Sequence, residues 1–314
     1  MKNLIGGQGE EYTLKDKQEL RFGAVILQDF PYPELVRLWQ KFEALNFDST
    51  WIADHFVNYA HPDSPWLDGW SALAGLASCT SKIRIGTMVT SIPFRHPAVL
   101  ARQAMTVDHI SNGRLEIGIG AGAPGKIDPS YTMTGISDWP FKERAERLKE
   151  QVEIVDTLLR NVKSSYDGKY YTIKNAIMAP GPVQKPRPPL VIAAHVKPSL
   201  RVVAEHADTW VSFGADFGSP TEIVVEKTLK RIAYLDKYCE KIGRDPGSIR
   251  RSLLVFGAEA NTAFASEEMF TKIVERYTAL GINELVFFYP FFAPDQIPMF
   301  EKIAKETIPT LRKN

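Results

Sequence analysis

The sequence predicts an α/β protein closed as a (β/α)8 TIM barrel, with a hairpin inserted between helix four and strand five. Three observations lead there. The stretch from Ile83 to Gly122 reads strand, loop, helix, turn, strand, which is one parallel βαβ unit. The same alternation runs through the rest of the chain until eight strands and eight helices are counted. Composition also stays uniform, with 44% hydrophobic and 24% charged residues overall, so no second domain announces itself. We therefore expect an N-terminal arm over 1–20 and one barrel domain over 21–314.

Each element has a local reason. Phe22 to Leu27 is a short apolar run, read as the first strand, and Pro33 to Asn46 spaces Leu35, Leu38, Phe42 and Leu45 as an amphipathic helix. Strand two is Thr50 to Asp54, helix two Trp70 to Cys79, and strand three the β-branched run Ile83 to Val89. His96-Pro97 opens helix three, Ser111-Asn112-Gly113 stops it, and Arg114 to Ile119 is strand four. A long Gly-, Pro- and Ser-rich loop, Ala123 to Pro140, has the length of a functional lid. Helix four, Phe141 to Arg160, is followed by YDGKYYTIKN, where Asp-Gly between β-prone residues signals the hairpin. Strand five is Leu190 to Ala194, helix five Pro198 to His206, strand six Thr209 to Phe213 and helix six Thr221 to Ile242. The remaining elements are expected at Leu253 to Ala258, Ser266 to Leu280, Glu284 to Tyr289 and Pro294 to Glu306.

Net charge is +1, which gives no electrostatic footprint for nucleic acid or an anionic membrane. Cys79 and Cys239 show no CxxC or metal-ligand spacing and read as apolar filler in a reducing compartment. No signal-peptide core and no membrane-spanning run is seen, so a cytoplasmic protein is expected.

A barrel places its active site at the C-terminal ends of the strands. His55, just past strand two beside Asp54, is either a proton-handling group or a hydrogen-bonded loop histidine. Thr90 and Ser91, with Met88 and Val89, stand where hydroxyls and backbone edge a planar ligand. Gly120-Ala121-Gly122 signals close backbone approach. Ala193-Ala194-His195-Val196-Lys197-Pro198-Ser199 opens a helix whose free N–H groups, Lys197 and Ser199 suit a phosphate. His195 either faces the ligand, the preferred reading, or packs against the next loop. Phe291 and Phe292 are candidates to wall an apolar pocket. The metal ligands that a barrel hydrolase needs are missing after strand one, where Gln28-Asp29-Phe30 stands.

The segments IADHF, IRIGTMVTSIPFRHPAVLARQ, DHISNGRLEIGIGAG and YDGKYYTIKN, in this order, resemble the bacterial luciferase-like family of flavin- or deazaflavin-dependent oxidoreductases. The resemblance runs from about Phe22 to Phe288. It implies a flavin-type ring in the barrel mouth, His55 as acid/base near the ring, a non-prolyl cis peptide at Met88-Val89 and a phosphate near Ala193 to Ser199. It also implies a homodimer. Three positions depart from particular branches. Gly120 stands where luciferase has a reactive cysteine. Ala123 and Tyr59 stand where deazaflavin-dependent sugar-phosphate dehydrogenases have Glu and Trp, and His195-Val196 replaces their Gly-Gly-type turn. The expected activity is that of an FMN-dependent monooxygenase. Reduced FMN would come from a separate flavin reductase, and the substrate would be a small organic molecule. The alternatives are deazaflavin-dependent hydride transfer and a non-catalytic flavin-binding or partner subunit.

Overall fold

The computed structural model describes residues 19–214 and 219–313. Almost all of the expected N-terminal arm therefore lies outside the described residues. Eight parallel strands close into a barrel: β1 (Arg21–Val25), β2 (Ser49–Asp54), β3 (Arg84–Ser91), β4 (Leu115–Gly120), β7 (Leu190–Ala193), β8 (Thr209–Ser212), β9 (Arg250–Leu254) and β10 (Glu284–Phe288). β10 pairs with β1 from Arg21↔Glu284 to Val25↔Phe288, which completes the ring. β5 (Lys163–Asp167) and β6 (Thr172–Ile177) form the expected antiparallel hairpin outside it.

The main helices are α1 (Tyr32–Ala44), α2 (Gly69–Ser78), α3 (Pro97–Ile110), α5 (Phe141–Arg160), α6 (Lys197–His206), α7 (Thr221–Lys241) and α9 (Glu267–Thr278). Their apolar faces and the outward strand residues form one buried layer that includes Leu35, Trp39, Leu100, Leu148 and Trp210. A smaller cluster of Val25, Trp51, Met88, Val191, Val211 and Val286 fills the barrel interior, as a packed barrel requires.

Local stops are where chemistry puts them. Asn46 and Asn112 adopt positive φ, at 59° and 54°, and Gly113 follows at 80°. Ser266 caps α9 by accepting the Met269 N–H at 3.1 Å. Ser266→Ala is expected to cost about 1 kcal/mol, measurable by chemical denaturation. The SNGR segment is a structural staple: the buried Arg114 guanidinium donates to the carbonyls of Ala77, Thr80, Ile83 and Ser111 and to the Thr80 hydroxyl.

Three expectations are corrected. The seventh barrel strand spans Arg250–Leu254, earlier than its apolar run suggested. Its charged start is satisfied at the foot of the barrel, where Arg251 pairs with Asp236 at 2.6 Å and Arg250 donates to the Asn283 carbonyl. The chain after it forms a short helix, α8 (Ala258–Thr262), instead of continuing as strand. The long loop is not wholly irregular, since α4 (Ser130–Thr134) lies within it. The final helix is broken into α10 (Ile297–Lys302), a π-type turn over Ile303–Thr307 and α11 (Ile308–Leu311). Pro309 lacks an N–H and its ring crowds the preceding turn, so the helix widens just before it. No described helix is long and apolar enough to cross a membrane.

Candidate active site at the barrel mouth

The site begins with two neighbouring strands. Asp54 pairs in register with Thr90, so His55 leaves β2 beside the end of β3. The Met88-Val89 peptide is cis. It coincides with the shift in register between β3 and β4, and both side chains join the barrel-interior cluster. Gly120 packs tightly here, because a Cβ on it would lie 2.6 Å from Val89 Cγ2. Gly122 has φ of +79°, which turns the backbone sharply out of β4. Met88, Val89 and the Gly120-Ala121-Gly122 backbone thus form an apolar ledge at the ends of β3 and β4.

The histidine's surroundings hold a residue that the sequence reading missed. His55 Nδ1 lies 3.2 Å from Asp128 Oδ2. The Asp128 side chain is only 1% exposed, and its other oxygen accepts the Ser130 N–H at 2.9 Å. Burial works to raise its pKa, but hydrogen bonds from His55 and Ser130 outweigh that and hold the carboxyl below its ordinary value. The Tyr59 ring stands edge-on to His55 with centroids 5.3 Å apart, and Trp66 Nε1 donates to the His55 carbonyl at 2.9 Å. Burial, then the nearby Asp128 charge, pushes the Tyr59 phenol up. A carboxylate therefore reaches the histidine from Asp128, within the long loop between β4 and α5. The Asp128-Pro129-Ser130 sequence, a side-chain acceptor just ahead of a helix start, was the available signal.

Arg144 on α5 bolts that loop in place. Its buried guanidinium donates to the carbonyls of Ala121 at 3.0 Å and Trp139 at 2.8 Å and to the Tyr131 hydroxyl at 2.8 Å, and it pairs with Asp138. Asp138 in turn accepts the Gly125 N–H at 2.9 Å.

Several expected cofactor-contact residues have partners within the protein. The Asp54 carboxylate is clamped by Arg95 through contacts of 3.0 and 2.6 Å, and Arg95 also reaches Asp68. Thr90 turns its hydroxyl toward the helix layer, accepting from Trp70 Nε1 at 2.9 Å and bonding Thr87. Ser91 is buried, as is Ala194, whose carbonyl accepts from Trp210 Nε1 at 2.9 Å. Ser199 folds back onto its own turn, donating to the Val196 carbonyl at 3.0 Å, and Lys197 Nζ sits 5.5 Å over the Tyr234 ring. The His195 ring packs 3.9 Å from that of Phe213, and its Nε2 accepts the Phe213 N–H at 3.4 Å. Ala193 stays at the interior rim. Arg231, on α7, was not foreseen; it donates to the carbonyls of His195 and Gly214 and to Ser212 Oγ, tying the ends of β7 and β8 together. Phe291 and Phe292 form an exposed rim with Phe30. Among the described residues, no group of three or more His, Cys, Asp or Glu side chains could hold a metal ion.

The described chain is thus a closed parallel barrel with a histidine–carboxylate pair at the C-terminal ends of its strands. The chain belongs to the luciferase-like monooxygenase family, whose profile matches residues 12–304. It is a flavin- or deazaflavin-dependent oxidoreductase acting on a small organic substrate. It is 28% identical to an F420-dependent glucose-6-phosphate dehydrogenase of Segniliparus rotundus, over 91% of this chain and 96% of that protein. It is also 28% identical to the oxygenase component of the flavin-dependent trigonelline monooxygenase of Acinetobacter baylyi, over 76% of this chain and 63% of that protein. In fold it is similar to an F420-dependent secondary alcohol dehydrogenase solved with an F420–acetone adduct. The TM-score is 0.78 at 18% identity, over 92% of this chain and 100% of that one.

Proposed function

We propose that the chain is a deazaflavin-dependent hydride-transfer oxidoreductase that interconverts a small alcohol and its carbonyl. The observation that carries this reading is His55, held at the mouth with Nδ1 on Asp128 and with no partner for Nε2 among the described residues. This revises the expected preference for FMN. Glu is absent at Ala123, while Asp128 supplies a carboxylate to His55. The glucose-6-phosphate dehydrogenase named above, which this chain matches over nearly its full length, supports the same choice.

The ledge of Met88, Val89 and Gly120 to Gly122 would hold the ring. Ala193 to Ser199 and Arg231 would lie nearest its phosphate, with backbone N–H groups at the start of α6 as donors. When bound, a deazaflavin supplies a two-electron hydride acceptor. His55 Nε2 accepts the hydroxyl proton as the substrate's C–H bond breaks and its C=O bond forms, and it returns that proton in the reverse direction. The Phe30, Phe291 and Phe292 rim and the loop around Asp128 keep water from the reacting carbon.

The test is anaerobic incubation of purified protein with oxidised deazaflavin coenzyme and a panel of primary and secondary alcohols, following loss of the oxidised chromophore. Alcohol-dependent bleaching is expected; its absence with every alcohol tested, alongside oxygen-dependent turnover with reduced FMN, would overturn the reading. Gly120→Ala should weaken coenzyme binding about tenfold, because its Cβ displaces Val89 from the ledge; a binding titration checks this. A second reading, FMN-dependent monooxygenation with a separate reductase, draws on the trigonelline monooxygenase match and is the alternative outcome of the same assay.

A further inference from the structure

We infer that Asp128 is a positioning residue that fixes His55 in the tautomer with its proton on Nδ1, leaving Nε2 as the base at the barrel mouth. A carboxylate can accept hydrogen bonds but cannot donate them. Asp128 Oδ1 already accepts the Ser130 N–H at 2.9 Å, and Oδ2 faces His55 Nδ1 at 3.2 Å. The facing ring nitrogen must therefore carry hydrogen. In a neutral imidazole this leaves the other nitrogen with a lone pair. Asp128 is buried and its loop is bolted by Arg144, so the carboxylate cannot swing away to release the ring. The remaining groups around His55 do not compete for Nδ1. Tyr59 meets the ring edge-on, and Trp66 bonds the backbone carbonyl.

The geometry makes a specific forecast for Asp128→Asn. The Ser130 N–H still demands an acceptor, so the amide oxygen stays there and the amide NH2 turns to His55. A donor now faces Nδ1, which must become the acceptor, and the proton moves to Nε2. The near-isosteric change thus inverts the tautomer and blocks the base. Asp128→Glu keeps an acceptor-only group on a side chain longer by one methylene.

The experiment is 15N NMR of histidine-labelled protein without cofactor, at a pH where the His55 ring is neutral. His55 is assigned among the six histidines by its loss in a His55→Gln variant. Wild type and Asp128→Glu should show a protonated, pyrrole-type Nδ1 and a pyridine-type Nε2, and Asp128→Asn should show the reverse. A wild-type Nε2–H tautomer, or an Asp128→Asn spectrum unchanged from wild type, overturns the inference. Thermal denaturation of each variant confirms that it is folded. The kinetic consequence rests on the hydride-transfer reading: kcat of Asp128→Asn should fall about 10- to 100-fold with coenzyme affinity within about twofold. Because the NMR arm uses neither cofactor nor substrate, failure of the tautomer assignment and failure of the hydride-transfer reading give separate results.

Discussion

His55→Ala should lower kcat by about 10²- to 10⁴-fold while leaving coenzyme affinity within a few-fold of wild type. As a proton acceptor, the ring would supply little of the binding surface. On the proposed reading that surface would come from the Met88-Val89 ledge, the Gly120 to Gly122 backbone and the start of α6, none of which the substitution touches. The asymmetry between turnover and binding is the informative part. Parallel turnover assays and binding titrations on the same preparation measure it. Equal losses in both would make His55 a binding residue. No turnover in wild type under either oxidised deazaflavin or reduced FMN would instead fit a partner subunit.

Arg144→Ala is expected to have the largest effect on stability, about 3 kcal/mol, seen as a fall in Tm of roughly 4–5 °C. The buried guanidinium serves the carbonyls of Ala121 and Trp139, the Tyr131 hydroxyl and Asp138, and alanine removes all four of these contacts at once. Because Ala121 belongs to the glycine turn and Asp128 lies in the same loop, the change should also expose that loop to limited proteolysis. Arg144→Lys should recover only part of the loss, since an ammonium cannot span the acceptors that the planar fork reaches. The clamp also has a pH dependence with a definite sign. The hydrogen bond from Arg144 holds the Asp138 carboxyl below its ordinary value. Its contribution is present in full above the unfolded carboxylate pKa near 4 and is lost as pH falls through the lower folded value. Proteolytic sensitivity of the loop should therefore rise only in that acidic range.

Most of the barrel was legible because its strands are short β-branched runs between well-punctuated helices. Phe141–Arg160 is read from its apolar face to the residue, and the hairpin follows from Asp-Gly. The errors fall where long-range contacts override composition. Arg250 and Arg251 look wrong for a strand until Asp236 and the Asn283 carbonyl are brought to the barrel's foot. The candidate site shows the same division. His55 and the glycine turn are visible because barrels put function at strand ends. Asp128 and Arg144 are not, because their roles depend on how the long loop folds back across the mouth. Side-chain types alone do not show which partners a polar group has inside the fold: Thr90, Ser199 and Asp54 are met by Trp70, the α6 turn and Arg95.

The most direct measurement is an anaerobic binding titration of the purified protein with oxidised deazaflavin coenzyme and, in parallel, with FMN in both redox states. The deazaflavin should bind in the micromolar range or tighter, with FMN at least about tenfold weaker. Tight binding of reduced FMN with no affinity for the deazaflavin would contradict the assignment and return the chain to the oxygen-using side of its family.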